Sequence, residues 1–124
     1  MRITTKTFIT DDPGIPFMGP GPVRLLEMIN EYKSINKAAK SMSLSYVKAL
    51  NILNKLEKCL GEQMLIRKRG GNERGGAALT PYAEKYISSF KGLDKKINTY
   101  AQAEFEESKR EFGKGQGDER EKDQ

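Results

Sequence analysis

Residues 34–58, SINKAAKSMSLSYVKALNILNKLEK, decide how this chain is to be read. Ile35, Ala38, Ala39 and Met42 mark one face of a short helix opened by Ser34, whose hydroxyl can accept from an unpaired N–H of the first turn. Ser43 and Leu44 make a tight connection. Ser45 then offers a second cap before a longer helical pattern whose inward residues are Ala49, Leu53, Leu56 and Leu60. Two capped helices joined by so short a turn predict a helix-turn-helix.

On the second helix, Lys48, Asn51, Lys55 and Lys58 fall opposite the apolar stripe and must point outward. Ala38, Ala39 and Ala49 stand where the two helices cross, and small side chains there allow a close approach without clash. The second helix is thereby held proud, able to enter a major groove with its N-terminal turn leading. The plain alternative is a helical pair whose lysines are only a solvated face.

Charge sharpens the choice. The net charge of +5 on 124 residues is unevenly spread. Residues 104–124 hold five basic and eight acidic side chains, so residues 1–103 carry +8. Between Lys33 and Arg74 alone, ten Lys or Arg stand against Glu57, Glu62 and Glu73. Such a footprint suits a polyanion, although a basic surface kept for solubility gives the same count.

Upstream, Thr4 to Thr10 reads as a short strand, Asp11-Asp12-Pro13-Gly14 as a turn with proline and glycine in its central positions, and Ile15 to Met18 as a returning edge strand limited by Pro16. Gly19-Pro20-Gly21-Pro22 turns the chain into a helix, with Pro22 suited to its first position. Val23, Leu25, Leu26, Met28 and Ile29 supply its buried face as far as Tyr32.

Downstream, Gly61 stands where a helix wants a left-handed residue after its end. Gln63 to Arg67 and Ala77 to Leu79 form two short strands around a loop that holds Lys68, Arg69 and Arg74 among four glycines. Beside a helix-turn-helix this loop reads as a wing on phosphates or in the minor groove, and otherwise as a plain exposed hairpin. No GK[ST] follows the glycines, which excludes a phosphate-binding P-loop.

Thr80-Pro81 opens the last helix, with Glu84 in its first turn. Ala83, Tyr86, Phe90, Leu93, Ile97 and Tyr100 then repeat at heptad spacing. This seam has two destinations, the body of its own domain or the same helix of a second chain. Its aromatic and aliphatic content favours pairing, with Tyr86, Phe90, Leu93, Ile97 and Tyr100 as the dimerisation residues. Past Tyr100 the seam positions become Glu104 and Glu107, and 101–112 continues as a solvated helix.

The expected fold is therefore mainly α with small β hairpins: a winged helix-turn-helix with an N-terminal hairpin over residues 1–79, a dimerisation helix over 80–112, and a disordered tail over 113–124, which has no apolar side chain. There is no histidine and one cysteine, Cys59, so an internal disulfide and the usual zinc spacings are excluded, and no cofactor is expected. Cys59 reads as a core or helix-flank residue, with redox sensing as the alternative. General acid/base or nucleophilic chemistry has no obvious residues, so an enzyme is not expected. The absence of a long apolar run or a signal-peptide core places the chain in the cytoplasm, away from membranes.

The stretch SINKAAKSMSLSYVKALNILNKLEKCLGEQMLIRKRGG with GGAALTPYAEKY resembles the winged helix-turn-helix of LysR-type regulators. More closely, it resembles the N-terminal domain of molybdate-responsive, ModE-type regulators. There, as here, a strand pair precedes FMGPGPVRLLEMI, Ser-Tyr opens the recognition helix, a glycine-rich wing follows, and LTP begins the linker helix. The likeness covers roughly residues 3 to 100 and implies a dimeric transcriptional regulator that binds double-stranded DNA. Position by position, it puts Ser45, Tyr46, Lys48 and Asn51 at base- and phosphate-facing positions, and Ser34 and Lys37 at backbone contacts. Leu50 departs from the tryptophan or serine of these families, and Ser43 from a frequent turn glycine. The sequence stops before any molybdate-binding or LysR effector domain, so direct molybdate sensing is not expected of it, and whether a separate sensor protein is a partner stays open. A winged-helix module for protein partners, with an incidental basic face, is the alternative function.

Overall fold

The computed structural model describes residues 1–68 and 76–112. Its elements follow the order β1 (Ile9–Thr10), β2 (Pro16–Met18), α1 (Pro20–Tyr32), α2 (Ile35–Ser41), α3 (Tyr46–Leu60), β3 (Leu65–Arg67), β4 (Ala77–Leu79) and α4 (Pro81–Lys109). The mainly helical class with two small antiparallel hairpins is as expected. The chain divides into two compact units. One is Thr7–Phe90, and the other joins Met1–Lys6 to the segment that starts at Lys91. The expected tail from 113 and the wing tip lie outside the described residues.

Within Thr7–Phe90 the core is entirely apolar among the described residues. Met18, Leu25, Leu26, Ile29, Leu53, Leu56 and Met64 are its largest fully buried side chains, so β2, α1, α3 and the approach to β3 close on one another. Ala38, Ala39 and Ala49 have no exposed surface, as the crossing of α2 and α3 requires. Helix α1 begins at Pro20, two residues before the position expected from Pro22. Both prolines occupy the first turn, where a missing N–H costs nothing, and the ladder opens with Val23 N–H donating to the Gly19 carbonyl at 3.1 Å.

The helix-turn-helix is built by its caps. Ser34 Oγ accepts from the Lys37 N–H and Ser45 Oγ from the Lys48 N–H, each at 3.0 Å. Between the helices, Leu44 N–H donates back to the Ala39 carbonyl at 2.8 Å, and Ser43 adopts φ 58° to permit it. A side chain in this left-handed region costs roughly 1 kcal/mol, which glycine avoids at the expense of a floppier unfolded chain. Ser43→Gly is therefore expected to stabilise the chain by about 0.5 kcal/mol in urea unfolding; a lower midpoint would mean that the hydroxyl holds the turn.

Helix α3 ends at Gly61, φ 69°, as its sequence position implied. Glu57 Oε2 then accepts from the Met64 N–H at 2.8 Å and steers the chain into β3. Thr80 fastens the other side of the hairpin. Its N–H donates to the Met64 carbonyl at 3.0 Å, its hydroxyl donates to the Gln63 carbonyl at 2.9 Å, and the same oxygen accepts from the Ala83 N–H at 3.1 Å as the cap of α4.

The N-terminal strand is shorter than Thr4 to Thr10. Only Ile9 and Thr10 pair, with Met18 and Pro16, across an irregular register. Pro16 supplies no donor. Earlier residues join no ladder, although their exposure alternates, and residues 1–6 find other partners. In their unit Asn98 Nδ2 donates to Thr5 Oγ1 at 3.2 Å and Gln102 Nε2 to the Ile3 carbonyl. The turn also sits one residue early, since Gly14 N–H donates to the Asp11 carbonyl at 2.9 Å, with Asp12 and Pro13 central and Gly14 at φ 95°.

Candidate nucleic-acid interface

The outward face of α3 starts at its cap. Ser45, Tyr46, Lys48 and Asn51 are all exposed, within the first two turns of the helix. Val47 is exposed too, at 64%, although periodicity singled out only the polar members of this face. An apolar residue so exposed at the leading turn has no packing role, and its position beside the cap is the signal that would have found it. On the preceding helix Lys37 is exposed and Ser34 half-buried. The hydroxyl oxygens of Ser34 and Ser45 act as cap acceptors, so each O–H proton stays available for an outside acceptor such as a phosphate oxygen.

Lys55 differs from the rest of the stripe. It is half-buried, and its Nζ lies 3.2 Å from Asp11 Oδ2. Lys58, one turn on, is exposed.

The base of the wing is firmly placed. Leu65 pairs with Leu79, Ile66 with Ala78 and Arg67 with Ala77, and Lys68 N–H donates to the Gly76 carbonyl at 2.8 Å. Ala77 N–H donates to the Lys33 carbonyl at 3.1 Å, which ties the hairpin to the left-handed residue, φ 57°, that ends α1. A Cβ on Gly76 would stand 3.3 Å from that carbonyl, tighter than ordinary contact. Lys68 is exposed. Arg69 and Arg74 lie outside the described residues.

The heptad seam on α4 divides. Ala83, Ile87 and Phe90 are buried in the core of Thr7–Phe90, so the inward spacing runs through Ile87, which the heptad omitted. Phe90, at 6% exposure, is a core residue and not the free dimerisation residue expected. Tyr86 is half-buried. Its ring stacks on Tyr82 with centroids 6.0 Å apart, and burial, then Tyr82, pushes its phenol pKa up. The expected boundary between residues 79 and 80 thus falls inside the compact unit Thr7–Phe90, between β4 and α4. Beyond it, Leu93 at 46%, Ile97 at 40% and Tyr100 at 68% are exposed. Cys59 is exposed on the flank of α3, not in the core. No described helix is long and apolar enough to cross a membrane.

A capped helix pair with a projecting second helix, followed by a two-stranded hairpin, defines a winged helix-turn-helix. The chain belongs to the family described as bacterial regulatory helix-turn-helix protein, lysR family, whose model matches residues 22–84, half of its length. As such it is a regulatory helix-turn-helix domain of LysR type. It is 39% identical over 79 residues to the transcriptional regulator ModE of Haemophilus influenzae, covering 64% of this chain and 31% of that protein. It is 35% identical over 72 residues to the molybdenum transport protein ModE of Azotobacter vinelandii, covering 58% and 27%. The chain thus spans between about a quarter and a third of the length of these relatives. In fold it is similar to the BenM DNA-binding domain solved with catB site 1 DNA, with a TM-score of 0.51 and 22% identity over 73% of this chain and 92% of that one.

Proposed function

We propose that this chain binds double-stranded DNA sequence-specifically as a dimeric cytoplasmic transcriptional regulator. The observation that carries this reading is the exposed leading face of α3, where Tyr46, Lys48 and Asn51 project beside the Ser45 cap on a helix braced from behind by Leu53 and Leu56. A helix so mounted enters a major groove with these side chains first. Asn51 reads adenine through its amide, Tyr46 packs on a thymine methyl or a sugar, and Lys48 meets phosphate. Ser34 and Lys37 hold the flanking backbone. Their contact fixes register without reading sequence.

The wing, with Lys68, Arg69 and Arg74, lies along phosphates beyond the groove. Replacing both Lys68 and Arg69 by alanine is expected to weaken specific and random duplexes alike and to flatten the salt slope by about 2 units at most. An unchanged slope would remove the wing from the mechanism.

Pairing runs through Leu93, Ile97 and Tyr100, the exposed half of the seam, with Tyr86 at its edge. One recognition helix reaches a half-site, and a pair reaches two about one helical turn apart. An effector, if one acts, is sensed by a separate protein or by sequence beyond these residues.

Binding of a mixed-sequence duplex across a range of salt tests the reading. Affinity is expected to fall steeply, roughly as the 0.9 power of salt for each phosphate neutralised. A flat or absent response would leave the interaction-module alternative.

A further inference from the structure

We infer that Asp11 holds Lys55 out of the DNA-binding set and so restrains the sequence-independent part of DNA affinity. The inference rests on the DNA-binding reading above. On α3, spacing puts Lys48, Asn51, Lys55 and Lys58 on one face as if all three lysines served one polyanion. The structure separates them. Lys48 and Lys58 are exposed, whereas Lys55 Nζ is 3.2 Å from Asp11 Oδ2, on a turn 44 residues away in sequence.

The carboxylate is not loosely presented. Asp11 Oδ1 accepts from the Ile15 N–H at 2.8 Å, the Asp11 N–H donates to the Ile15 carbonyl at 3.0 Å, and the Asp11 carbonyl accepts from the Gly14 N–H at 2.9 Å. Every polar group of the residue is therefore engaged, and the Ile15 N–H and Lys55 hold its pKa below the ordinary carboxylate value. A half-exposed pair of this kind adds little to stability. Its consequence is for charge. In the free chain the cation is already neutralised, so Lys55 condenses no phosphate at little cost; to recruit it, the duplex must break the pair and accept a fixed carboxylate nearby, with Asp12 next in sequence. Like charges brought together oppose association. Lys55 is thus held in reserve by the hairpin, while the exposed Lys48 and Asn51 in the first two turns face the duplex.

Three variants of the full chain test this on a mixed-sequence duplex. Asp11→Asn keeps an acceptor for the Ile15 N–H, so the turn survives while the charge goes. It is expected to steepen the salt slope by about 0.9 and to tighten binding about threefold or more at moderate salt, the signature of one further phosphate contact. Lys55→Ala alone, which leaves the turn untouched, should not change the slope. Combined with Asp11→Asn, it should abolish the gain. A slope that flattens by about 0.9 in Lys55→Ala alone would place Lys55 on phosphate from the start and overturn the inference. So would an Asp11→Asn slope equal to the native one, or a gain that persists without Lys55. A native chain that binds no duplex at any salt would instead overturn the DNA-binding reading itself.

Discussion

Replacing Leu93 and Ile97 together by aspartate is expected to turn the dimer into monomers and to lower affinity for a two-fold symmetric site by about a hundredfold or more, because two linked half-site contacts become two independent ones. The two side chains are exposed and stand one helical turn apart on α4, where a partner helix would have to bury two unpaired charges. The helix-turn-helix should remain folded, since its core is made by Leu26, Ile29, Leu53 and Leu56, with Phe90 as the last contributor from α4. Weak, salt-sensitive binding should survive. Sedimentation checks the first half and anisotropy on the symmetric site the second. A native chain that sediments as a monomer at micromolar concentration would remove the pairing and the two-fold operator with it.

Asn51→Ala is expected to cost about 1 to 3 kcal/mol on the best site, and much less on random duplex. The side chain is exposed on the leading half of α3, so its loss opens no core cavity and the cost reports recognition and not folding. Equal losses on both duplexes would show that Asn51 does not read bases. Dissociation constants for the two duplexes, measured at one salt concentration, separate the outcomes.

Much of this architecture was legible because local rules and tertiary packing agree. The serine caps at 34 and 45, the glycine at 61 and Thr80 before Pro81 each satisfy backbone groups that their helices leave open, and each stands where the sequence places it. The alanines at the helix crossing were legible for the same reason. Where reading failed, a distant partner decided. Thr4 to Phe8 has the alternation of a strand, but no strand among the described residues pairs with it, and Asn98 and Gln102 hold Thr5 and Ile3 instead. Phe90 fits a heptad and also fits the core. Ile87, outside the heptad, shows that α4 is first a core helix, because inward residues are chosen by the surface that a helix lies on and not by the repeat alone.

At the interface, helical periodicity separates the two faces of α3 but is silent about what else reaches them. It put Lys55 beside Asn51 correctly and missed Asp11, since a contact across 44 residues leaves no local signature. It also passed over Val47, because an apolar side chain is normally assigned to the buried side.

The central claim, that α3 reads a duplex in a defined sequence, is tested most directly by selecting bound duplexes from a random pool with the native chain. Enrichment of one motif repeated with two-fold symmetry, its half-sites about one helical turn apart, is the predicted result. Retention of duplexes with no enriched sequence would contradict the claim, and would leave a basic winged helix that holds DNA without reading it.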